Sequence, residues 1–173
     1  MADGRWQIVD CRLANAKETD LLMRSFLKYW LPVLIWLCLI FIGSTDLMSA
    51  EQTSRFFVPF LRWLKPDVSP EMLAQIHFFV RKLGHISEYA ILATLLWRAL
   101  RRGTNLRMRI PVLFVTIFFP CAIFAASDEF HQSFVSSRTA ALGDVMIDIC
   151  GALAGLTICW AFTARKTNRQ SKI

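Results

Sequence analysis

The chain has 173 residues, of which 55% are hydrophobic and only 19% are charged, and its formal net charge is +7. So few charged residues cannot cover the surface of an ordinary soluble domain around so large an apolar content. The five cysteines are odd in number and lack metal-ligand spacing, which excludes a disulfide framework and a zinc knuckle. The composition predicts one integral membrane domain.

Four apolar segments are candidates for transmembrane helices, each of which needs about 20 predominantly apolar residues to cross the bilayer. The first is short, and the second carries several ionisable residues in its first half. The third has no charged residue and the fourth only Asp148, so both are clear transmembrane segments. We therefore predict an all-α integral membrane protein built as a four-transmembrane-helix bundle. The segments comprise residues 25–43, 76–100, 110–127 and 145–164.

Lysine and arginine collect in the loop 98–109 and in the tail 165–173, and neither stretch contains an acidic residue. Because such stretches face the cytoplasm, both termini are predicted to be cytoplasmic. The domain organisation is a cytoplasmic segment 1–24, a membrane domain 25–164 and the basic tail. Since the basic residues mark membrane topology, no nucleic-acid partner is predicted.

The first loop, residues 44–75, is expected on the outer side and contains two helix starts. Ser49 and Gln52 have the spacing of a capping box, and large apolar residues then recur at helical spacing. This pattern is typical of a short helix in the membrane interface. Ser69 followed by Pro70 predicts a second start, before the membrane. The apolar residues of the interfacial helix are Phe56, Phe57, Phe60, Leu61 and Leu64.

Ionisable and polar residues from separate segments converge on the outer leaflet. A charge at the membrane centre costs about 2.5–3.5 kcal/mol, so such residues predict a functional site. Arg81, Lys82 and Arg138 are candidate partners that offset the cost of Glu88 and Asp148. The full set is Arg81, Lys82, His85, Glu88, Tyr89, Asp128, Glu129, His131, Gln132, Arg138, Asp144 and Asp148.

Helical spacing orients the last segment. Asp144 and Asp148 lie one turn apart, and Gly151 and Gly155 continue the same stripe. Because a Gly-x-x-x-Gly pattern lets another helix approach closely, we expect this stripe to face the bundle rather than lipid.

Two chemistries fit the converging residues. Three basic side chains suit a phosphate or pyrophosphate of a lipid headgroup. Alternatively, histidines and carboxylates suit acid–base work or a divalent metal, whose binding stays open. The basic set is Arg81, Lys82 and Arg138, with Tyr89, Gln132, Asp144 and Asp148 as further ligand-binding candidates. The catalytic candidates are His85, Glu88, Asp128, Glu129 and His131.

Over roughly residues 30–160 the chain resembles the VanZ-like family in three motifs and in their order. The motifs are Arg-Lys-x-x-His-x-x-Glu-Tyr from Arg81, Asp-Glu-x-His-Gln from Asp128, and Gly-Asp-Val-x-x-Asp-x-x-Gly from Gly143. The resemblance implies a small helical protein of the bacterial cytoplasmic membrane. It also implies a link to glycopeptide resistance, because the family's namesake is associated with resistance to teicoplanin.

Two departures from the family pattern bear on the site. Ser136 and Ser137 stand where the family usually has Pro-Gly, and Asp148 stands where it often has asparagine. The first affects the turn that presents Arg138, and the second adds a negative charge.

The leading hypothesis is a protein that binds an anionic lipid or lipid-linked cell-envelope headgroup at its extracytoplasmic face. The first alternative is an enzyme, metal- or acid/base-dependent, acting on a lipid phosphate. The second is a non-catalytic partner that packs against a helix of another membrane protein. The oligomeric state stays open at this point.

Overall fold

The computed structural model describes residues 3–45, 50–64, 68–104, 106, 108–134 and 142–170. Within this part of the chain there are six helices and no β-strand, which confirms the all-α prediction. The helices are α1 (Asp3–Tyr29), α2 (Leu31–Ser44), α3 (Ala50–Leu64), α4 (Pro70–Arg102), α5 (Ile110–Gln132) and α6 (Leu142–Gln170).

The N-terminal segment, to which the sequence patterns assign no element, forms α1 and runs on into α2. Pro32 lies in the first turn of α2 and has no amide hydrogen, so it cannot bond the carbonyl four residues before it. Hydrogen bonds continue across the break at Trp30: its amide donates to Phe26 over 2.8 Å, and its carbonyl accepts from Leu34 over 3.0 Å. The two helices therefore follow one another with only a local interruption.

Three stretches are long and apolar enough to cross a membrane: Lys17–Gly43, Ile110–Gln132 and Leu142–Arg165. They coincide with the first, third and fourth segments predicted from the sequence, although the first begins earlier. Three such helices indicate a multi-pass membrane protein. α4 is not among these three stretches.

The polar helix α4 occupies the centre of the fold, where it contacts each of the other five helices. Leu92 and Ala93 of α4 are fully buried, and the surrounding core is built from α2, α5 and α6. This position places the buried His85 of α4 among neighbouring helices.

α4 and α6 pack closely and in parallel. Gly151 lies against the backbone of Ile86, so that a methyl group added to it would come within 2.4 Å of that carbonyl oxygen. Gly155 meets Ala90 in the same way, also at 2.4 Å. The predicted role of the Gly-x-x-x-Gly stripe is confirmed, since only hydrogen side chains permit this approach.

The predicted start of α4 is confirmed in detail. Ser69 has an extended backbone, its hydroxyl accepts a hydrogen bond from the Met72 amide over 3.2 Å, and Pro70 opens the helix. The short helix in the first loop also exists as α3. Ser49, the cap predicted for it, lies outside the described residues, as do the side chains of Phe56 and Phe57.

Candidate functional site

The charged residues are sorted between the two ends of the bundle. At one end the Ser25 hydroxyl donates to the Gly103 carbonyl over 3.5 Å, and the Arg98 guanidinium lies 5.4 Å from the centre of the Tyr29 ring. This end holds the arginine-rich loop between α4 and α5. The converging polar residues of α4, α5 and α6 lie at the opposite end, which is called the polar end below.

At the polar end, Asp144 of α6 receives two cations from α4. Its carboxylate is only 3% exposed, and it accepts from Lys82 and, over 3.4 Å, from an Nη of Arg81. The side chains of Arg81 and Lys82 remain 34% and 21% exposed. The Lys82 ammonium also lies 5.1 Å from the Phe78 ring centre. Two positive charges against one negative charge leave this group with a positive surplus.

One turn deeper, His85 of α4 meets Asp148 of α6. Nδ1 of the imidazole and Oδ1 of the carboxylate are 3.0 Å apart, and the two side chains are 8% and 1% exposed. Of the candidate partners for Asp148, Arg81 and Lys82 meet Asp144 instead, and Arg138 lies outside the described residues. The helices run parallel, so Asp144 meets the residues nearer the start of α4, and Asp148 meets the residue one turn further along it.

α5 adds a second acidic group to the polar end. The Gln132 amide donates to Asp128 over 3.0 Å, which is the i,i+4 spacing of one helix face. Asp128 lies within electrostatic range of Tyr89 and Asp148, so the carboxylates of α5 and α6 share one environment. Glu129 is also buried, as is Gln132. Three helices thus deliver buried polar groups to the same region.

α2 contributes aromatic contacts that the sequence patterns missed. The indole N–H of Trp36 donates to the backbone carbonyl of Glu88 over 2.9 Å. The ring of Phe41 lies 4.8 Å from that of His131. An aromatic residue within an apolar run looks like any lipid-facing residue, so no pattern in the sequence marked these two.

Several buried polar atoms at the polar end have no hydrogen-bond partner among the residues that the structure describes. They belong to residues of α2, α4 and α5, of which Ser44, Tyr89 and Gln132 are almost completely enclosed by protein, whereas Arg81 and His131 are partly exposed. Each such atom costs about 1–3 kcal/mol if it stays unpaired. The atoms are Ser44 Oγ, Arg81 Nε, Tyr89 Oη, His131 Nδ1 and Gln132 Oε1.

The remaining predicted site residue, Arg138, lies outside the described residues, together with Ser136 and Ser137. Among the described side chains, no group of three or more histidine, cysteine, aspartate or glutamate residues is arranged to hold a metal ion. What the structure brings together is two partly exposed basic side chains on the buried Asp144 carboxylate and a His85–Asp148 pair beneath them.

A comparison with known protein families gives a match that covers most of the chain. The model of a protein family described as VanZ/LLP1 matches residues 29–163, which include α2 to α5 and most of α6. Neither the curated proteins nor the solved structures provide a significant match to the chain.

Proposed function

The chain belongs to the VanZ/LLP1 family, and from that premise we propose that it binds an anionic lipid or lipid-linked headgroup at its polar end. The observation that carries the proposal is the positive surplus around Asp144, where Arg81 and Lys82 share one buried carboxylate. A phosphate placed beside them would give the two cations a second negatively charged partner.

The two basic side chains suit a phosphate in complementary ways. Arg81 uses one Nη for Asp144, which leaves other N–H groups of its planar guanidinium for a second anion. Lys82 supplies a compact charge that can bond both Asp144 and a neighbouring oxygen. Because each side chain is partly exposed, a headgroup can reach them without opening the helix bundle.

The surface next to the basic pair suits the acyl or prenyl chain of a lipid. Phe78, Phe79 and Leu83 precede or flank the pair on α4, and all three are exposed. A molecule with a phosphate at one end and a hydrocarbon tail at the other would satisfy both surfaces at once. A free phosphate would contact only the basic pair and leave the apolar surface without a ligand.

This proposal includes a topology with four transmembrane helices, α4 being the additional one. α4 runs beside α6 from the contact of Arg81 with Asp144 to the hydrogen bond of Arg101 with Thr163. A helix of twenty residues is about 30 Å long, enough to cross the hydrocarbon core. α6 is apolar enough to span it, and a helix parallel to it over that length crosses with it.

Sidedness follows from the basic loops. The arginine-rich end is the cytoplasmic one, so both termini are cytoplasmic and the polar end faces outward from the bacterial cytoplasmic membrane. α3 then lies in the outer interface, with its exposed Phe60, Trp63 and Leu64 in lipid. A reporter fused after Arg102 is expected to be cytoplasmic and one fused after Leu64 external. The reverse result would place the binding site on the inner side.

The family resemblance extends the proposal to the cell envelope. A lipid-linked precursor on the outer face would be the kind of ligand that a glycopeptide also targets. Expression of the chain is then expected to raise the teicoplanin concentration that inhibits a susceptible bacterium. A Lys82→Gln variant present at the same level in the membrane is expected not to do so.

Lipid binding itself is tested with matched headgroups on the purified protein. Phosphatidic acid and phosphatidylcholine with identical acyl chains are titrated against wild type, Lys82→Gln and Lys28→Gln, the last being an exposed lysine of α1. We expect preference for phosphatidic acid and a loss of about tenfold to a hundredfold in Lys82→Gln, as for a charged hydrogen bond. Equal binding of both lipids, or equal losses in both variants, would refute the proposal.

A further inference from the structure

We propose that the polar end also hydrolyses the phosphate that it binds, with His85 as the general base and Asp148 as the residue that positions it. The inference rests on the proposed function, because the phosphate must first be held by Arg81 and Lys82. The substrate class is a lipid carrying a terminal phosphoryl group, either a phosphomonoester or a pyrophosphate. Water is the co-substrate.

The His85–Asp148 pair has the geometry of an oriented base. Nδ1 of His85 lies 3.0 Å from the carboxylate, which fixes the plane of the ring and directs one proton to Nδ1. The other nitrogen, Nε2, has no hydrogen-bond partner among the described residues and is left to accept a proton. Because Asp148 is almost fully buried, it can position the ring but cannot itself reach a substrate.

The base and the phosphate-binding pair are adjacent. His85 follows Lys82 by three residues and Arg81 by four, so all three share one face of α4 within about one turn, or 5.4 Å of rise. The Asp144 carboxylate, which receives both basic side chains, also lies within electrostatic range of His85. The His85 side chain remains 8% exposed, so a small molecule such as water can meet it.

The reaction balances with the residues already named. Nε2 of His85 takes one proton from a water molecule as the water oxygen forms a bond to phosphorus. The bond from phosphorus to the leaving oxygen breaks on the opposite side of phosphorus; this oxygen is the lipid hydroxyl oxygen in a phosphomonoester and the bridging oxygen in a pyrophosphate. The leaving oxygen takes a proton from solvent water, and Nε2 returns its proton to solvent. The products are inorganic phosphate and either the lipid alcohol or the lipid monophosphate, while Arg81 and Lys82 stabilise the negative charge on the phosphoryl oxygens.

The test uses the full-length protein in mixed micelles with water enriched in ¹⁸O. The probes are phosphatidic acid and a polyprenyl pyrophosphate, tested separately, so that the source of the phosphoryl group is distinguished. We expect released phosphate that contains one ¹⁸O atom from at least one probe. Lipid binding by the same protein is measured in parallel.

Three variants distinguish chemistry from folding. His85→Gln is expected to lower kcat about 10²- to 10⁴-fold while lipid binding is retained. Asp148→Asn, which keeps the shape of the side chain, is expected to lower kcat with little change in KM. His77→Gln, a histidine two turns earlier in α4, is the matched control and should keep the wild-type rate. Activity of His85→Ala should partly return when imidazole is added, which a purely structural role would not produce.

The outcomes separate the two proposals. A wild-type protein that binds lipid phosphates but releases no labelled phosphate from either probe overturns hydrolysis and leaves binding intact. Phosphate release that is unchanged in both His85→Gln and Asp148→Asn overturns the assignment of the base. Absence of lipid binding in the wild type overturns the proposed function and this inference together.

Discussion

Replacement of Gly151 by alanine tests how the polar end is held together. The added methyl group would lie 2.4 Å from the carbonyl oxygen of Ile86, whereas ordinary contact begins at 3.4 Å. The two helices must therefore separate locally by about 1 Å, because the obstructing atom belongs to backbone and cannot rotate away. Overpacking of this kind destabilises by about 1–3 kcal/mol, so we expect a loss of about 2 kcal/mol in the free energy of unfolding.

The double variant makes the prediction sharper. Gly155 meets Ala90 with the same 2.4 Å approach, one turn along the same interface. A single outward displacement of α6 relieves both contacts, so the two substitutions share one cost. The Gly151→Ala, Gly155→Ala variant is expected to lose about 2–3 kcal/mol rather than the sum of about 4 kcal/mol.

Gly84 provides the matched control, because a methyl group added there meets nothing within 4 Å. Gly84→Ala should be neutral or raise the stability by up to about 1 kcal/mol, since alanine favours helix more than glycine does. The assay is reversible unfolding in mixed micelles, followed by circular dichroism. Equal effects of Gly84→Ala and Gly151→Ala, or strict additivity in the double variant, would refute this account of the α4–α6 contact.

Three further substitutions probe single contacts, each by the same unfolding assay. Trp36→Phe removes the N–H that donates to the Glu88 carbonyl and should lower stability by about 0.5–1.5 kcal/mol, whereas an unchanged value would mean that the bond contributes nothing. Tyr89→Phe removes a buried hydroxyl that has no partner among the described residues, so it should not destabilise the protein; a loss above about 1 kcal/mol would reveal a partner. Asp144→Asn removes the negative charge between Arg81 and Lys82, so the lipid-free variant should have a lower melting temperature than the wild type. Phosphatidic acid should raise the melting temperature of the variant more than that of the wild type. A smaller rise in the variant would contradict the anion site.

Much of the fold can be predicted from the sequence because apolar runs and caps are local signals. The uncharged run of α5 and the Ser69-Pro70 start of α4 required no knowledge of distant residues. The glycine stripe of α6 also predicted a close helix neighbour, which proved to be α4. Convergence of the ionisable residues at one end followed from topology alone.

The pairing within the site could not be predicted, because it depends on the register between two helices. The positions of Gly151 and Gly155 against the α4 backbone set this register to a fraction of a turn. This register between α4 and α6 places Asp148 beside His85 rather than beside Lys82. The contacts of Trp36 and Phe41 were missed for a different reason, since a lipid-facing and a site-facing aromatic residue have the same local sequence context.

The most direct test of the central claim is native mass spectrometry of the protein gently extracted from bacterial membranes. The account predicts one anionic lipid or polyprenyl phosphate retained per chain in the wild type. The same lipid should be absent from an Arg81→Gln, Lys82→Gln variant and retained in Lys28→Gln. A wild-type protein that carries only zwitterionic lipid, or a double variant that retains the anionic lipid equally well, would contradict it.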